Sequence, residues 1–133
     1  MKVFVITSII GQDPIKAAAI LGRACSGLTH AGHTPTHNLS EIQFLQETAP
    51  GEADVLRKAY LGIDQSEAVL LVMQPDTSND DALAAFGYAW GKGKTLMVAY
   101  PAGHFTPVAK LASVAIQYTD LDDLGVKVAG LHR

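Results

Sequence analysis

The chain has 133 residues, the length of one domain spanning 1–133. It is 48% hydrophobic and 17% charged, with 10 Lys+Arg against 13 Asp+Glu for a net charge of −3. That composition excludes long disorder and argues against a nucleic-acid backbone binder, since neither high charge nor a basic stripe is present. The one cysteine, Cys25, excludes an internal disulfide. The opening apolar run is too short for a signal peptide, with Asp13 soon after, and the longest apolar run, residues 68–73, is far below the roughly 20 residues of a membrane span. The expectation is a cytoplasmic domain without a membrane partner.

Taken in chain order, residues 2–10 (KVFVITSII) form a continuous, β-branched apolar run, the pattern of a buried parallel strand. Gly11-Gln12 breaks it, and Asp13-Pro14 reads as N-cap and first residue of a helix. Ile15, Ala18, Ala19, Leu21, Gly22, Cys25 and Leu28 follow at helical spacing, with Gly32 as the stop. Residues 34–40 read as a weak second strand, and 41–50 are ambiguous. A helix over 52–65 carries Val55, Leu56, Ala59 and Ile63 on one face. Residues 67–73 (EAVLLVM) are a second strong buried strand. A loop over 74–78 leads to Ser78 or Asn79 as the cap of a helix to about Trp90. After the turn at 91–94 come a strand at 95–100, a break at Pro101-Ala102-Gly103, a short helix at 106–111, a strand at 114–118 and a last helix from Asp120. Such alternation predicts an α/β domain: a flavodoxin-like, Rossmann-like three-layer sandwich on a five-stranded parallel sheet in the order 2-1-3-4-5. Ligands of such sheets lie beyond the carboxyl ends of the strands, at the switch point between strands 1 and 3.

That rule brings forward the loops at 7–13, 74–81 and 100–104, with His37 in reach from strand 2. In the first loop, Ser8 and backbone groups are candidates for ligand contact. The loop has a single glycine, Gly11, and is neither a dinucleotide fingerprint nor a P-loop, and Asp13 at the cap opposes a phosphate. His30, His33 and His37 are spaced i, i+3, i+7, but Gly32 and Pro35 interrupt the helix a metal-ligating face would need. No metal is expected, and His30 and His33 read as exposed residues at a helix end. Cys25, on the apolar face of the first helix, reads as a buried structural thiol. Asp76, Asp80 and Asp81 complement a helix dipole or serve the crevice as ribose-binding or acid–base carboxylates. Gly87 inside a helix suggests close approach of helix to sheet. Tyr88, Trp90 and Phe105 are candidates for a subunit interface or for core packing.

Residues 79–94 (NDDALAAFGYAWGKGK), followed by a buried strand, resemble the signature of the nucleoside 2-deoxyribosyltransferase family, which includes deoxynucleoside-monophosphate N-glycosidases. The family's stretch runs Asp-x-Gly-Thr-x-x-Glu-Leu/Ile-Gly-Tyr-Ala, a spacer and Gly-Lys; Gly87-Tyr88-Ala89 and Gly93-Lys94 match it. The segment Asp64-Gln65-Ser66-Glu67-Ala68-Val69, strand 1 with its cap at Asp13, and the closing stretch 118–124 (YTDLDDL) are similar as well. The resemblance implies a nucleoside or nucleotide ligand, no cofactor, and a homodimer or larger homo-oligomer. The family's acids are not matched. Its nucleophilic glutamate falls on Ala85, the partner aspartate on Asn79, a further acid on Ala59, and its Gly-Thr pair on Asp81-Ala82. The family attacks the sugar with a carboxylate, and alanine offers neither nucleophile nor proton.

Two enzyme-or-not readings follow. One is a pseudoenzyme that keeps the crevice and binds a nucleoside or nucleotide through Thr7, Ser8, Ile9, Gly11, His37, Asn79, Asp81, Ala85 and Gly87. The other is an active N-glycosidase or deoxyribosyltransferase with a relocated carboxylate, Asp80 or Asp81, the latter one helical turn before Ala85. A non-catalytic interaction module is the third class. A substitution at Ala85 alone would leave Ala59 and Asn79 unexplained.

Overall fold

The computed structural model describes residues 1–9, 12–37, 52–75 and 77–131. In chain order these form β1 (Lys2–Thr7), α1 (Pro14–His30), β2 (Thr34–Thr36), α2 (Glu52–Asp64), β3 (Ala68–Val72), α3 (Asp80–Gly91), β4 (Thr95–Pro101), a 3₁₀-helix (Pro107–Leu111), β5 (Val114–Tyr118) and α4 (Leu121–Ala129). The five strands are all parallel and lie in the order β2-β1-β3-β4-β5, as the alternation of elements predicts. Val3 to Thr7 of β1 pair with Ala68 to Val72 of β3, so both strands end together at the switch point.

Strand alternation builds two apolar layers. Val3, Val5, Leu70 and Val72 face α1 and α4, where Ile20, Leu21, Leu28, Leu124 and Val128 meet them. Phe4, Ile6, Val69 and Leu71 face the other way, onto Ile63 of α2 and Ala82, Ala85, Phe86 and Ala89 of α3. All five residues of β3 are buried, which is why this strand reads as an uninterrupted apolar run. No helix among the described residues is long and apolar enough to cross a membrane.

Several local expectations change. β1 stops at Thr7, because Ser8 and Ile9 turn away to bond a side chain of α3; Ile10 and Gly11 lie outside the described residues. β2 is only three residues long, and 38–50 lie outside the described residues, as does Asp76. Asp13 does cap α1, its carboxylate accepting from Ile15 N at 2.9 Å with Pro14 in the first turn. The chain leaves α1 through Gly32 at φ +90, a backbone conformation suited to glycine.

His33 corrects the reading of an exposed pair. His30 is exposed, but His33 is buried: its Nε2 lies 2.6 Å from the Leu131 carbonyl and its Nδ1 3.3 Å from the Met1 amino group. It ties the two ends of the described chain beneath α1. Cys25 packs part-buried against the α1 layer, and burial pushes its thiol up to about 11. Gly87 also departs from expectation. It is exposed, and a Cβ there would meet open space. The close helix-to-sheet approach is at Gly62, whose Cβ would lie 2.2 Å from Cε1 of Phe4, and α1 meets α4 closely at Gly27, against the Gly125 carbonyl.

Candidate functional site

At the carboxyl ends of β1 and β3 the loops after each strand are bonded to one another. Thr7 Oγ1 donates to the Val72 carbonyl at 2.9 Å across the two strands. Gln74, buried just past β3, donates from Nε2 to Thr7 Oγ1 at 2.9 Å and to the Ser8 carbonyl at 2.8 Å. Gln12 Nε2 donates to Thr77 Oγ1 at 2.6 Å. These contacts cross 65–67 residues of sequence, so they bind the β1–α1 connection to the β3–α3 connection.

Asn79 shapes the second loop. It is buried at φ +58, the left-handed region, where asparagine is tolerated better than most residues. Its Oδ1 accepts from Gln74 N at 2.9 Å, and its Nδ2 donates to the carbonyls of Gln74 and Thr77 at 3.0 and 3.1 Å. The side chain thus closes the loop on itself rather than capping α3 from outside, and the helix opens with Asp80 N accepted by Ser78 Oγ at 3.2 Å.

From the first turn of α3, Asp81 reaches back to β1. Ser8 Oγ donates to Asp81 Oδ1 at 2.6 Å, and Ile9 N donates to Oδ2 at 2.8 Å. Asp81 lines a small cavity with Thr7 and Ile9 of the β1 end, Leu56 and Ala59 of α2, and Ala85 of α3. Its volume is about 30 Å³, room for a couple of waters. Ala59 and Ala85, the two positions where the resemblance expects acids, therefore face one cavity from two helices, and Asp81 is the one acid among its described lining residues.

The remaining candidates fall elsewhere. Thr7 is buried and Ile9 half-buried at this cavity, while Ser8, also buried, bonds Asp81 without being among the lining residues. Asp80 is exposed and is not among the cavity's lining residues, and Gly87 lies exposed about two turns further along α3. His37 is exposed beyond β2 and lines a separate cavity of about 270 Å³ with Lys2, Thr36, Lys58 and Gly62; partial desolvation of its ring lowers its pKa. Gly11 lies outside the described residues. Tyr60 and Tyr88 stack 4.2 Å apart between α2 and α3, with the Tyr88 hydroxyl donating to Asp64, whereas Trp90 is 60% exposed. Neither tyrosine fills the cavity. Among the described residues no group of His, Cys, Asp and Glu could hold a metal ion.

Sequence reasoning missed Gln74 and the Ser8–Asp81 bond. Gln74 stands beside Pro75 in a polar loop and carries no motif. The signal for Asp81 is its place in the first turn of a helix that follows a buried strand, which sets its side chain toward the neighbouring strand end.

Fold and strand-end cavity together define a doubly wound α/β protein with a crevice at the β1/β3 switch point. Among solved structures the chain resembles the CMP N-glycosidase BcmB of Clostridium botulinum, with a TM-score of 0.64, 13% identity, and coverage of 96% of this chain and 98% of that one. At that identity the likeness is one of fold. No protein-family model and no curated protein matches the chain.

Proposed function

We propose that the protein binds a nucleoside-like or nucleotide-like small molecule at the carboxyl ends of β1 and β3 and lacks the carboxylate set of an N-glycosidase. One observation carries this reading: Ala59, Ala85 and Asp81 line the same cavity, and two of the three offer only a methyl group. Support comes from the parallel sheet with its switch point at this cavity and from the fold shared with a CMP N-glycosidase. The cavity admits a group no larger than a few atoms, so a ligand of nucleoside size widens the cleft between α2 and α3.

Thermal-shift and calorimetric titration with a panel of nucleosides and their monophosphates tests the reading. A ligand at 100-fold its Kd raises stability by about 2.7 kcal/mol. No shift with any member of the panel would point instead to an interaction module.

A second reading rests on the position of Asp81. It stands one turn before Ala85 and presents a carboxylate to the same cavity, so an N-glycosidic bond held there would meet a displaced acid or nucleophile. Release of free base from a deoxynucleoside or its monophosphate, lost in Asp81→Ala, would establish this reading over the first.

A further inference from the structure

We infer that Asp81 takes, from within the chain, the place an anionic group of a ligand would occupy, so that the site accepts an uncharged nucleoside and rejects its phosphate ester. The inference rests on the proposed binding role and names the class of ligand. A phosphate needs hydrogen-bond donors and positive charge. Among the described residues, the Ser8 hydroxyl and the Ile9 N–H at the end of β1 are both bonded to Asp81, one to each carboxylate oxygen.

Other buried side-chain donors at these strand ends are also engaged, while the Thr77 and Ser78 hydroxyls act as acceptors, from Gln12 and Asp80 N. Thr7 donates to Val72, Gln74 Nε2 to Thr7 and Ser8, and Asn79 Nδ2 to Gln74 and Thr77. At the end of β3, beside the cavity rather than in its lining, Gln74 Oε1 is buried with no hydrogen-bond partner among the described residues. A buried acceptor without a partner is met by a donor such as a hydroxyl or amino group, a role that an ionised phosphate oxygen cannot fill. No lysine, arginine or histidine is among the described residues that line the cavity. The helices that open here carry their own negative charge, Asp13 at the start of α1 and Asp80 with Asp81 at the start of α3. A phosphate group brought to this place meets like charge, filled donors and a dipole already neutralised.

The test is a matched titration of the intact protein with 2′-deoxynucleosides, their 5′-monophosphates and inorganic phosphate, on wild type, Asp81→Asn and Ser8→Ala, with circular dichroism to confirm folding. The expected result is nucleoside binding to wild type that exceeds monophosphate binding by roughly tenfold to a hundredfold. In Asp81→Asn that ratio falls toward one or reverses, because the charge is gone while an acceptor remains for Ile9 N. Ser8→Ala retains the carboxylate and keeps the preference for nucleoside. Tighter binding of the monophosphate or of inorganic phosphate to wild type would overturn the inference and leave the proposed binding role standing. Absence of binding by nucleoside and monophosphate alike would overturn both.

Discussion

Ala59 on α2 and Ala85 on α3 line one cavity, with the Asp81 carboxylate a helical turn from Ala85 on the same helix. Two helices thus bring methyl groups to a place where a charged pair would have to be both buried and close to a third carboxylate. Ala85 is only 2% exposed. Ala85→Glu is therefore expected to cost about 2–4 kcal/mol at pH 7.5, from burial of a carboxylate four residues from Asp81. Burial and the neighbouring charge raise the new group's pKa above its unfolded value, so the deficit is small at low pH and grows as pH rises through the folded pKa. Urea denaturation of this variant and wild type at pH 5 and 7.5 measures it. A small deficit at both pH values would show that the glutamate escapes to solvent and that the cavity is wider than it stands.

Asn79 gives the loop before α3 both its shape and its hydrogen bonds. Asn79→Ala removes one acceptor and two donor contacts to buried backbone groups and places a Cβ-bearing residue without a polar side chain at φ +58. A loss of about 2–4 kcal/mol is expected. Asn79→Gly loses the same bonds but accepts the left-handed conformation, so it should be milder than alanine by about 1 kcal/mol. Thermal or chemical unfolding of the two variants ranks them; alanine at or above glycine would mean that backbone strain plays no part.

The sheet order, both buried strands and the Asp13 cap were legible because apolar periodicity and a cap residue before Pro14 are local signals. The rest depended on pairings that sequence spacing does not carry. Nothing in residues 74–81 says that Gln74 bonds Thr7 and Ser8, 67 and 66 residues earlier, or that Asp81 turns to β1. His33 looked like a surface residue because its partner, the Leu131 carbonyl, is 98 residues away. The resemblance placed Ala59 and Ala85 as counterparts of acids, and only the packing of α2 beside α3 puts them at one cavity.

The helical glycines separate by what surrounds them. A Cβ on Gly62 would strike the Phe4 ring, whereas a Cβ on Gly87 meets open space. Gly62→Ala should therefore destabilise by about 1–3 kcal/mol through overpacking of the β1–α2 contact. Gly87→Ala should stabilise by up to about 1 kcal/mol, the ordinary helix-propensity gain. Paired denaturation curves check the opposite signs. A loss at Gly87 would indicate that its exposed face meets another molecule in solution.

Alkaline pH offers the last check, through two acids whose neutral forms the fold favours. Burial pushes Cys25 from its ordinary value of 9.0 up to about 11 and Tyr118 from 10.0 up to about 12. The Tyr118 hydroxyl also donates to the Met73 carbonyl, a bond that its ionised form cannot make. Both folded pKa values lie above the unfolded ones. Their contribution is thus complete below about pH 9 and is lost as pH rises through the folded values, between pH 9 and 11 for Cys25 and between pH 10 and 12 for Tyr118. Stability measured from pH 8 to 12 should be flat at first and then fall as each group ionises. Cys25→Ala should remove the earlier part of the fall, and Tyr118→Phe the later part. The native thiol should also react with iodoacetamide at pH 8 roughly a hundredfold more slowly than free cysteine. Alkylation at the free-cysteine rate without unfolding would place Cys25 at the surface and contradict its packing against the core from α1.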